Sequence, residues 1–507
     1  MTEKEQDATI ALLMDPASYG LVGPVEVIET HISRIFLADE RALKMKRAVR
    51  LPYVDFSTPA LRLAACRKEV ELNASTAPGL YLGVRRITRE PDDRLVFDGT
   101  GELVDAVVEM VRFDQERLFD RMAAAGTLTP QLMTRTARMI AHFHRGAPVV
   151  HAGSGAENIA SVLDVNDAGF ATSRLFDKTE LQPFSAACHL FLERYADVLD
   201  RREAAGKVRR CHGDLHLRNI CLLDGEPRLF DCIEFNDRIA TIDTLYDLAF
   251  LLMDLWHRRL PDFANLVANR YLDEADDEDG FVLLPFFMAV RAAVRAHVTA
   301  TQAQESGDST EELATQARSY FCLACSLLEP RAARLVAIGG LSGSGKTTVA
   351  EALAAHLGAP PGARIIESDR IRKAMHGVPA ETRLPEKAYR PEVSAKVYGE
   401  MARRTSLILK EGGTVVADAV FDHKPDRDLI EKAARDAASP FLGVWLHADP
   451  LLLWQRVAAR QGGPSDATVD VLSRQLQRRA EEPGWHRIDV EAAPTEISSS
   501  ILALIGE

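Results

Sequence analysis

The sequence predicts an α+β half of two lobes followed by an α/β domain built on a doubly wound parallel sheet. Three observations carry this. Residues 24–111 hold short β-rich runs broken by one helical stretch, and helical periodicity dominates from about 116 to 328, as in a small strand-rich lobe before a larger helical one. Beyond Glu329-Pro330-Arg331-Ala332-Ala333-Arg334, apolar runs alternate with helical segments, the pattern of parallel βαβ units. Charge divides at the same place: residues 331–507 carry 24 Lys+Arg against 23 Asp+Glu, net +1, which leaves −14 for residues 1–330 of a chain whose total is −13. The expected domains are therefore 1–330, with lobes of about 1–115 and 116–330, and 331–507.

In the first lobe, runs at 25–28, 35–37 and 42–46 read as strands, 59–76 as a helix, and 80–86 and 103–111 as strands again. Helices follow at 116–125, 130–145 and 181–205. Polar loops and short strands occupy 208–250, and helices resume to 328. The acidic run 273–279 reads as a solvated loop. In the second domain, strands at 335–338, 364–366, 415–417 and 442–446 alternate with helices, the first of them over 346–358.

Hydrophobic residues make up 47% and charged residues 27% of the 507 positions, a globular balance. An acidic chain is a poor general binder of nucleic acid or anionic membrane. Seven cysteines, an odd and sparse set, suit reduced thiols in the cytoplasm. The N-terminal residues lack the basic start and apolar run of a signal peptide, and no uncharged apolar stretch reaches about 18 residues. Cys322 and Cys325 are expected as buried thiols of an apolar helix, and Cys211, Cys221 and Cys232 as packing residues. His142 and His144 would point to different helix faces, too far apart in direction for a shared metal. Residues 281–287 and the helix after them read as core.

Gly340-Leu341-Ser342-Gly343-Ser344-Gly345-Lys346-Thr347 fits GxxxxGK[ST] without a mismatch, between an apolar strand and a helix. Glycines let such a loop curl until its N–H groups face phosphate oxygens, and the helix start adds its dipole. Gly340, Ser342, Gly343, Ser344, Gly345 and Thr348 would line the phosphates. Lys346 would reach the β/γ-phosphates, and Thr347 would hold Mg²⁺. Asp369 and Arg372 are three apart after the second strand, so one helical turn puts them on one side. There Asp369 can take a hydroxyl proton and Arg372 can hold an anion. Asp418 ends a buried strand, where a residue near Mg²⁺ is expected. Arg456 and Arg460, before Gln461-Gly462-Gly463-Pro464, suit a lid that closes on the transferring phosphate. Over about 331–507 these residues resemble the small P-loop kinases that phosphorylate hydroxyls: the gluconate kinase, adenylylsulfate kinase, polynucleotide kinase and zeta-toxin group.

His212-Gly213-Asp214-Leu215-His216-Leu217-Arg218-Asn219 contains HGDxxxxN, followed by Leu229-Phe230-Asp231. Asp214 reads as the base that orients an acceptor hydroxyl, and Asn219 and Asp231 as ligands of a metal pair. Asp224-Gly225 supplies the hairpin turn between them. Such a site also needs a strand lysine steadied by a helix carboxylate. Lys44 is favoured over Lys46, with Glu69, or else Glu71, as partner, and 109–113 would reach the hinge that meets adenine. His212 would support the loop by hydrogen bonds.

Lys44-Met45-Lys46-Arg47-Ala48-Val49-Arg50-Leu51-Pro52, Glu69-Val70-Glu71-Leu72-Asn73, Tyr81-Leu82-Gly83-Val84, residues 211–220, Phe230-Asp231-Cys232-Ile233-Glu234-Phe235-Asn236 and Tyr246-Asp247-Leu248-Ala249-Phe250 resemble the aminoglycoside phosphotransferase family. The nearest likeness is to the predicted kinases in which such a domain is fused to a P-loop domain. The resemblance spans nearly all of 24–326 and implies a two-lobed protein-kinase-like fold, with Asp247 bracing the catalytic loop and 251–328 forming an acceptor pocket. It departs at Thr30-His31-Ile32-Ser33, where no GxGxxG precedes the lysine strand and Ser33 is the residue left to meet phosphate.

Together these readings imply a bifunctional phosphotransferase using Mg²⁺ and ATP, with GTP as an alternative nucleotide for the first half, acting on small-molecule hydroxyl acceptors. Two other readings stay open. The first half could be a ligand-binding pseudokinase that regulates a single active P-loop kinase or ATPase. The second half could phosphorylate nucleic-acid 5′-hydroxyls, against which the acidic charge and the lack of an aromatic-basic platform weigh. Oligomeric state is left open.

Overall fold

The computed structural model describes residues 6–20, 23–30, 32–51, 54–151, 153–305, 310–459, 463–477 and 484–506. They form two compact units. The first holds residues up to Asn158 together with Arg201–Asp254, and the second holds Ile159–Asp200 together with Leu255 onwards.

In the first unit, six strands form an antiparallel sheet in the order Glu26–Glu29, Ser33–Ala38, Arg41–Lys46, Glu102–Val111, Tyr81–Arg89, Leu95–Phe97. The helix Pro59–Asn73 packs on it. Thr58 caps that helix, its hydroxyl accepting from the Leu61 N–H at 3.3 Å, and Pro59 opens it with a preset φ. Its buried positions Arg62, Ala65, Cys66, Glu69 and Asn73 recur at three, four and seven residues, so one face carries polar groups inward as well as apolar ones. Arg62 is fully buried and gives Nε to Asp105 at 2.6 Å, Nη1 to the Phe56 carbonyl at 3.0 Å and Nη2 to the Val104 carbonyl at 3.1 Å. Gln6 donates to the other Asp105 oxygen at 2.8 Å. Arg62→Met is expected to cost about 3–5 kcal/mol, because it strands a buried carboxylate. A shift in the urea unfolding midpoint measures this, and a loss below about 1 kcal/mol would contradict it.

The hairpin Ile220–Leu223 with Glu226–Leu229 turns at Asp224 and Gly225, with φ of 52° and 76°. Both positive values match the right-handed strand twist that the Asp-Gly pair was expected to serve. A helix Gly155–Thr172, which the sequence reading did not anticipate, begins at the end of the first segment of this unit.

The second unit contains a parallel five-stranded sheet in the order Arg364–Glu367, Val415–Asp418, Leu335–Gly340, Phe441–His447, His486–Asp489. Leu335–Gly340 is buried at every position, as a central parallel strand covered on both faces must be. From this strand the chain goes first to one side of the sheet and later to the other, so a crevice opens at its carboxyl end. The helix after the phosphate loop runs only over Lys346–Ala354 and stops short of residue 358. Gly358, at φ +81°, and the Pro360-Pro361 pair cannot continue it.

Two expectations fail here. Cys322 and Cys325 are exposed rather than buried. The helix Thr310–Leu327 buries Ala317, Tyr320, Phe321, Ala324 and Leu327, and that spacing turns both thiols to the opposite face. The acidic run 273–279 is not a solvated loop: Asp277 and Glu278 are buried, and Asp273 and Glu278 pair with Arg364 of the sheet. Sequence supplied the acids but not their partners, which lie about ninety residues on. Among the described residues, Glu278–Gln304 is long and apolar enough to cross a membrane, but 72% of its apolar window is buried inside the protein. It packs against Thr310–Leu327, and Phe191 stacks on its Phe286.

Candidate active sites

In the first unit, the alternation of strand Arg41–Lys46 sends Lys44 and Lys46 to one side. Lys44 Nζ lies 2.8 Å from Glu69 Oε1 and also contacts the Asp231 carboxylate. Lys46 Nζ lies 2.5 Å from Glu69 Oε2 and 2.5 Å from Glu234 Oε1. One glutamate therefore serves both ammonium groups. Glu71, the other candidate, is exposed. Burial alone would raise the Glu69 pKa, but Lys44 and Lys46 outweigh it and hold it near about 2. Burial likewise pulls the Lys44 ammonium down, and Asp231, Glu69 and Glu234 overcome this to hold it well above the usual lysine value. Lys44, which reaches Asp231, is the lysine that faces the loop chemistry, whereas Lys46 is tied to Glu234.

The loop itself is held by its backbone. Asp247 accepts from the His212 N–H at 3.1 Å and the Gly213 N–H at 2.8 Å, and Asp254 accepts from the Leu217 N–H at 3.1 Å. Gly213 sits at φ +87°, where a Cβ would come within 2.9 Å of Ile233. Asn219 Nδ2 donates to Asp214 Oδ2 and to the Asp214 carbonyl, each at 2.9 Å. His216 Nε2 lies 3.3 Å from the same carboxylate oxygen. The Asn219 carbonyl accepts from the Phe230 N–H at 3.0 Å, which brings Asp231 beside the loop. Asp231 adopts φ 63°, and its N–H donates to the Tyr81 hydroxyl at 3.1 Å. Burial lowers the His212 pKa against the pull of Asp247. His216, Glu234 and Tyr81 were not anticipated as parts of this site. Ser33 is buried, its N–H already donating to Thr30 Oγ1 at 3.0 Å.

In the second unit the phosphate loop borders a cavity of about 310 Å³. Gly340, at φ +147°, leaves no room for a Cβ, which would fall 2.7 Å from the Leu446 carbonyl. Gly343 and Gly345 also take positive φ, +87° and +86°. The loop curls at these three residues. The buried Ser344 hydroxyl has no hydrogen-bond partner, which fits a loop shaped for phosphate oxygens. Thr347 Oγ1 donates to Asp418 Oδ2 at 2.7 Å, joining the two residues expected to hold Mg²⁺. Thr348, Asp369 and Arg372 also line the cavity. Arg372 gives Nη1 to the Ala388 carbonyl at 2.8 Å, lies 4.8 Å over the Tyr389 ring, and keeps a buried Nε without a partner.

Arg456 is not brought to the cavity: it donates to the Val490 carbonyl at 3.3 Å. Arg460 lies outside the described residues. Glu367, Tyr389, Tyr398, Ser465 and Gln475 line the cavity without having been anticipated. Gln475 accepts from the Ser342 N–H at 3.0 Å. Glu367 sits two residues before Asp369 at the strand end and could have been found there, but Gln475 carries no motif.

Burial raises the Asp369 pKa, takes Asp418 to about 6 against the pull of Lys346, and takes Glu367 to about 8 against Arg370. Glu367 thus holds a proton in the folded chain that the unfolded chain releases near the ordinary glutamate range. Its stabilising contribution is full at low pH and is lost as pH rises through about 8. Glu367→Gln is expected to raise the melting temperature relative to the parent at pH 8.5 and to change it little at pH 5. An equal effect at both pH values would refute this.

A two-lobed kinase-like fold and a phosphate-loop domain, each with its own cluster of lysine and carboxylates, define a protein of the kinase class. Residues 90–281 match the model of the phosphotransferase enzyme family, and residues 335–483 match that of an AAA domain. The chain is a fusion of these two kinase-type domains. An uncharacterized protein of Mycobacterium tuberculosis is 28% identical over 483 residues, 94% of each chain. The adenylyl-sulfate kinase of Myxococcus xanthus is 30% identical over 112 residues, 22% of this chain and 55% of its own length. A choline/ethanolamine kinase family protein from Mesorhizobium loti superposes with a TM-score of 0.42 at 15% identity, over 64% of this chain and 95% of its own.

Proposed function

We propose that the chain carries two phosphotransferase sites, in domains that divide near residue 330, each moving the γ-phosphoryl group of ATP to a hydroxyl of a small molecule. The observation that carries this reading is that each unit gathers a lysine and a set of carboxylates: Lys44, Asp231 and Asp214 in one, Lys346, Asp418 and Asp369 in the other. In the first site, Asn219 and Asp231 would hold the metal while Lys44, steadied by Glu69, holds phosphate. In the second, Thr347 and Asp418 would hold the metal and Lys346 the terminal phosphates. Bound Mg²⁺ neutralises charge on the phosphate oxygens. Asp214, oriented by Asn219 and His216, accepts the acceptor's hydroxyl proton as its oxygen bonds to the γ-phosphorus and the bond from that phosphorus to the β,γ-bridging oxygen breaks, releasing ADP. Asp369 has the same task beside Arg372. The partnerless Nε of Arg372 and the relative named as an adenylyl-sulfate kinase both support an acceptor with an acidic group for the second site.

A test is ADP release from the full chain across sugars, sugar acids, aminoglycosides and nucleosides. Acceptor-dependent release is expected, and release that no acceptor alters would count against the proposal. The pseudokinase reading keeps one support: the Ser33 N–H is committed to Thr30, so the turn before the lysine strand offers phosphate less than a glycine-rich loop would.

A further inference from the structure

The strand Arg364–Glu367 is the edge of the parallel sheet, and an edge leaves one row of backbone groups unpaired. Here that row is met by side chains of the helix Pro261–Ala275. Asn269 Oδ1 accepts from the Ile365 N–H at 2.8 Å, and the Nδ2 groups of Asn265 and Asn269 donate to the Ala363 carbonyl at 3.0 and 3.2 Å. Charges follow the same line. Asp273 Oδ1 lies 2.7 Å from Arg364 Nη2, and Glu278 takes Arg364 in a two-point pair at 2.7 and 2.8 Å. Asp273 Oδ2 receives Arg270 at 3.0 Å and stands 3.6 Å from Arg370 Nε, which bonds Glu367 Oε2 at 2.8 Å. Glu367 lines the phosphate-loop cavity, and Asp369 follows two residues later.

We infer that Asp273 and Arg370 are positioning residues of the phosphate-loop site, so that this site is completed by a helix lying within the stretch matched by the phosphotransferase enzyme family. Asp273 holds Arg370, Arg370 holds Glu367, and the covered strand edge fixes where Glu367 and Asp369 face the cavity. Arg270 also pairs with Glu351 of the helix Lys346–Ala354, so that helix keeps its own contact when Asp273 is changed. The inference rests on the phosphate-loop half being a kinase site.

The test uses the full chain and reads the ATP turnover that Lys346→Ala abolishes, beside the Kd of a fluorescent ATP analogue and the melting temperature. Asp273→Asn is expected to lower that turnover about tenfold, since small displacements of reacting groups are costly, with Kd within about twofold. Asp273→Glu is expected to restore most of it. Should Asp273→Asn fail to fold, Arg370→Lys, which keeps the charge and loses the planar Nε contact, is expected to give the same drop in turnover without a change in Kd. Turnover unmoved by either substitution would overturn the inference, as would nucleotide-binding capacity and turnover falling together in step with lost folded protein. Absence of analogue binding by the unsubstituted chain would overturn the functional reading and this inference with it.

Discussion

Lys346→Ala is expected to remove ATP turnover from the phosphate-loop half by about 10²–10³-fold, with a matching fall in nucleotide affinity. The loop depends on it physically. Its N–H groups and helix start supply partial positive charge, and Lys346 is the full charge that reaches into the same cavity. Removing it leaves Asp369 and Asp418 around triphosphate oxygens, with Arg372 as the remaining arginine among the described residues that line the cavity. The fold should survive, since Lys346 opens its helix rather than packing in the core. Equilibrium binding of a fluorescent ATP analogue and ADP release check this. Retained binding with Lys346 gone would refute the reading of the loop.

Asp214→Asn in the Lys346→Ala background is expected to cut acceptor-dependent transfer by the first half about 10²–10⁴-fold. Asparagine keeps the size of the side chain and an oxygen to accept from Asn219, but it cannot take a proton. The loss should therefore fall on kcat, with KM for ATP little changed. Transfer of labelled phosphate to whichever acceptor the panel identifies is the measurement. A variant as active as its parent would favour the pseudokinase reading.

The two sites were legible in the sequence to different depths. Motif residues tied by short spacing lie together in the structure as the spacing predicts: Asp214 with Asn219, and the run from Gly340 to Thr347 at one cavity. The fold class was legible for a similar reason, since period-2 and period-3.6 patterns are written locally. What escaped is what tertiary contact decides. Nothing near Lys44 in the sequence says that Glu69 is shared with Lys46, or that Glu234 takes the second lysine. The acidic run 273–279 looks solvated until Arg364 and Arg404 arrive from far along the chain. Arg456 had the right residue type, but its helix directs it to the Val490 carbonyl. The exposed cysteines failed on phase: apolar residues run round the helix Thr310–Leu327, and the stripe that packs, Ala317, Tyr320, Phe321, Ala324 and Leu327, leaves both thiols outside it.

That helix face has a practical use. Five of the seven cysteines are buried, and the other two stand together on the surface. A thiol-reactive dye added to the unaltered chain will therefore mark one spot without mutagenesis. Burial and the neighbouring Cys322 raise the Cys325 thiol pKa, which slows coupling at that position. Their three-residue offset also suits a probe with two reactive arms, which would bridge one helical turn and give spectroscopy a rigidly mounted reporter.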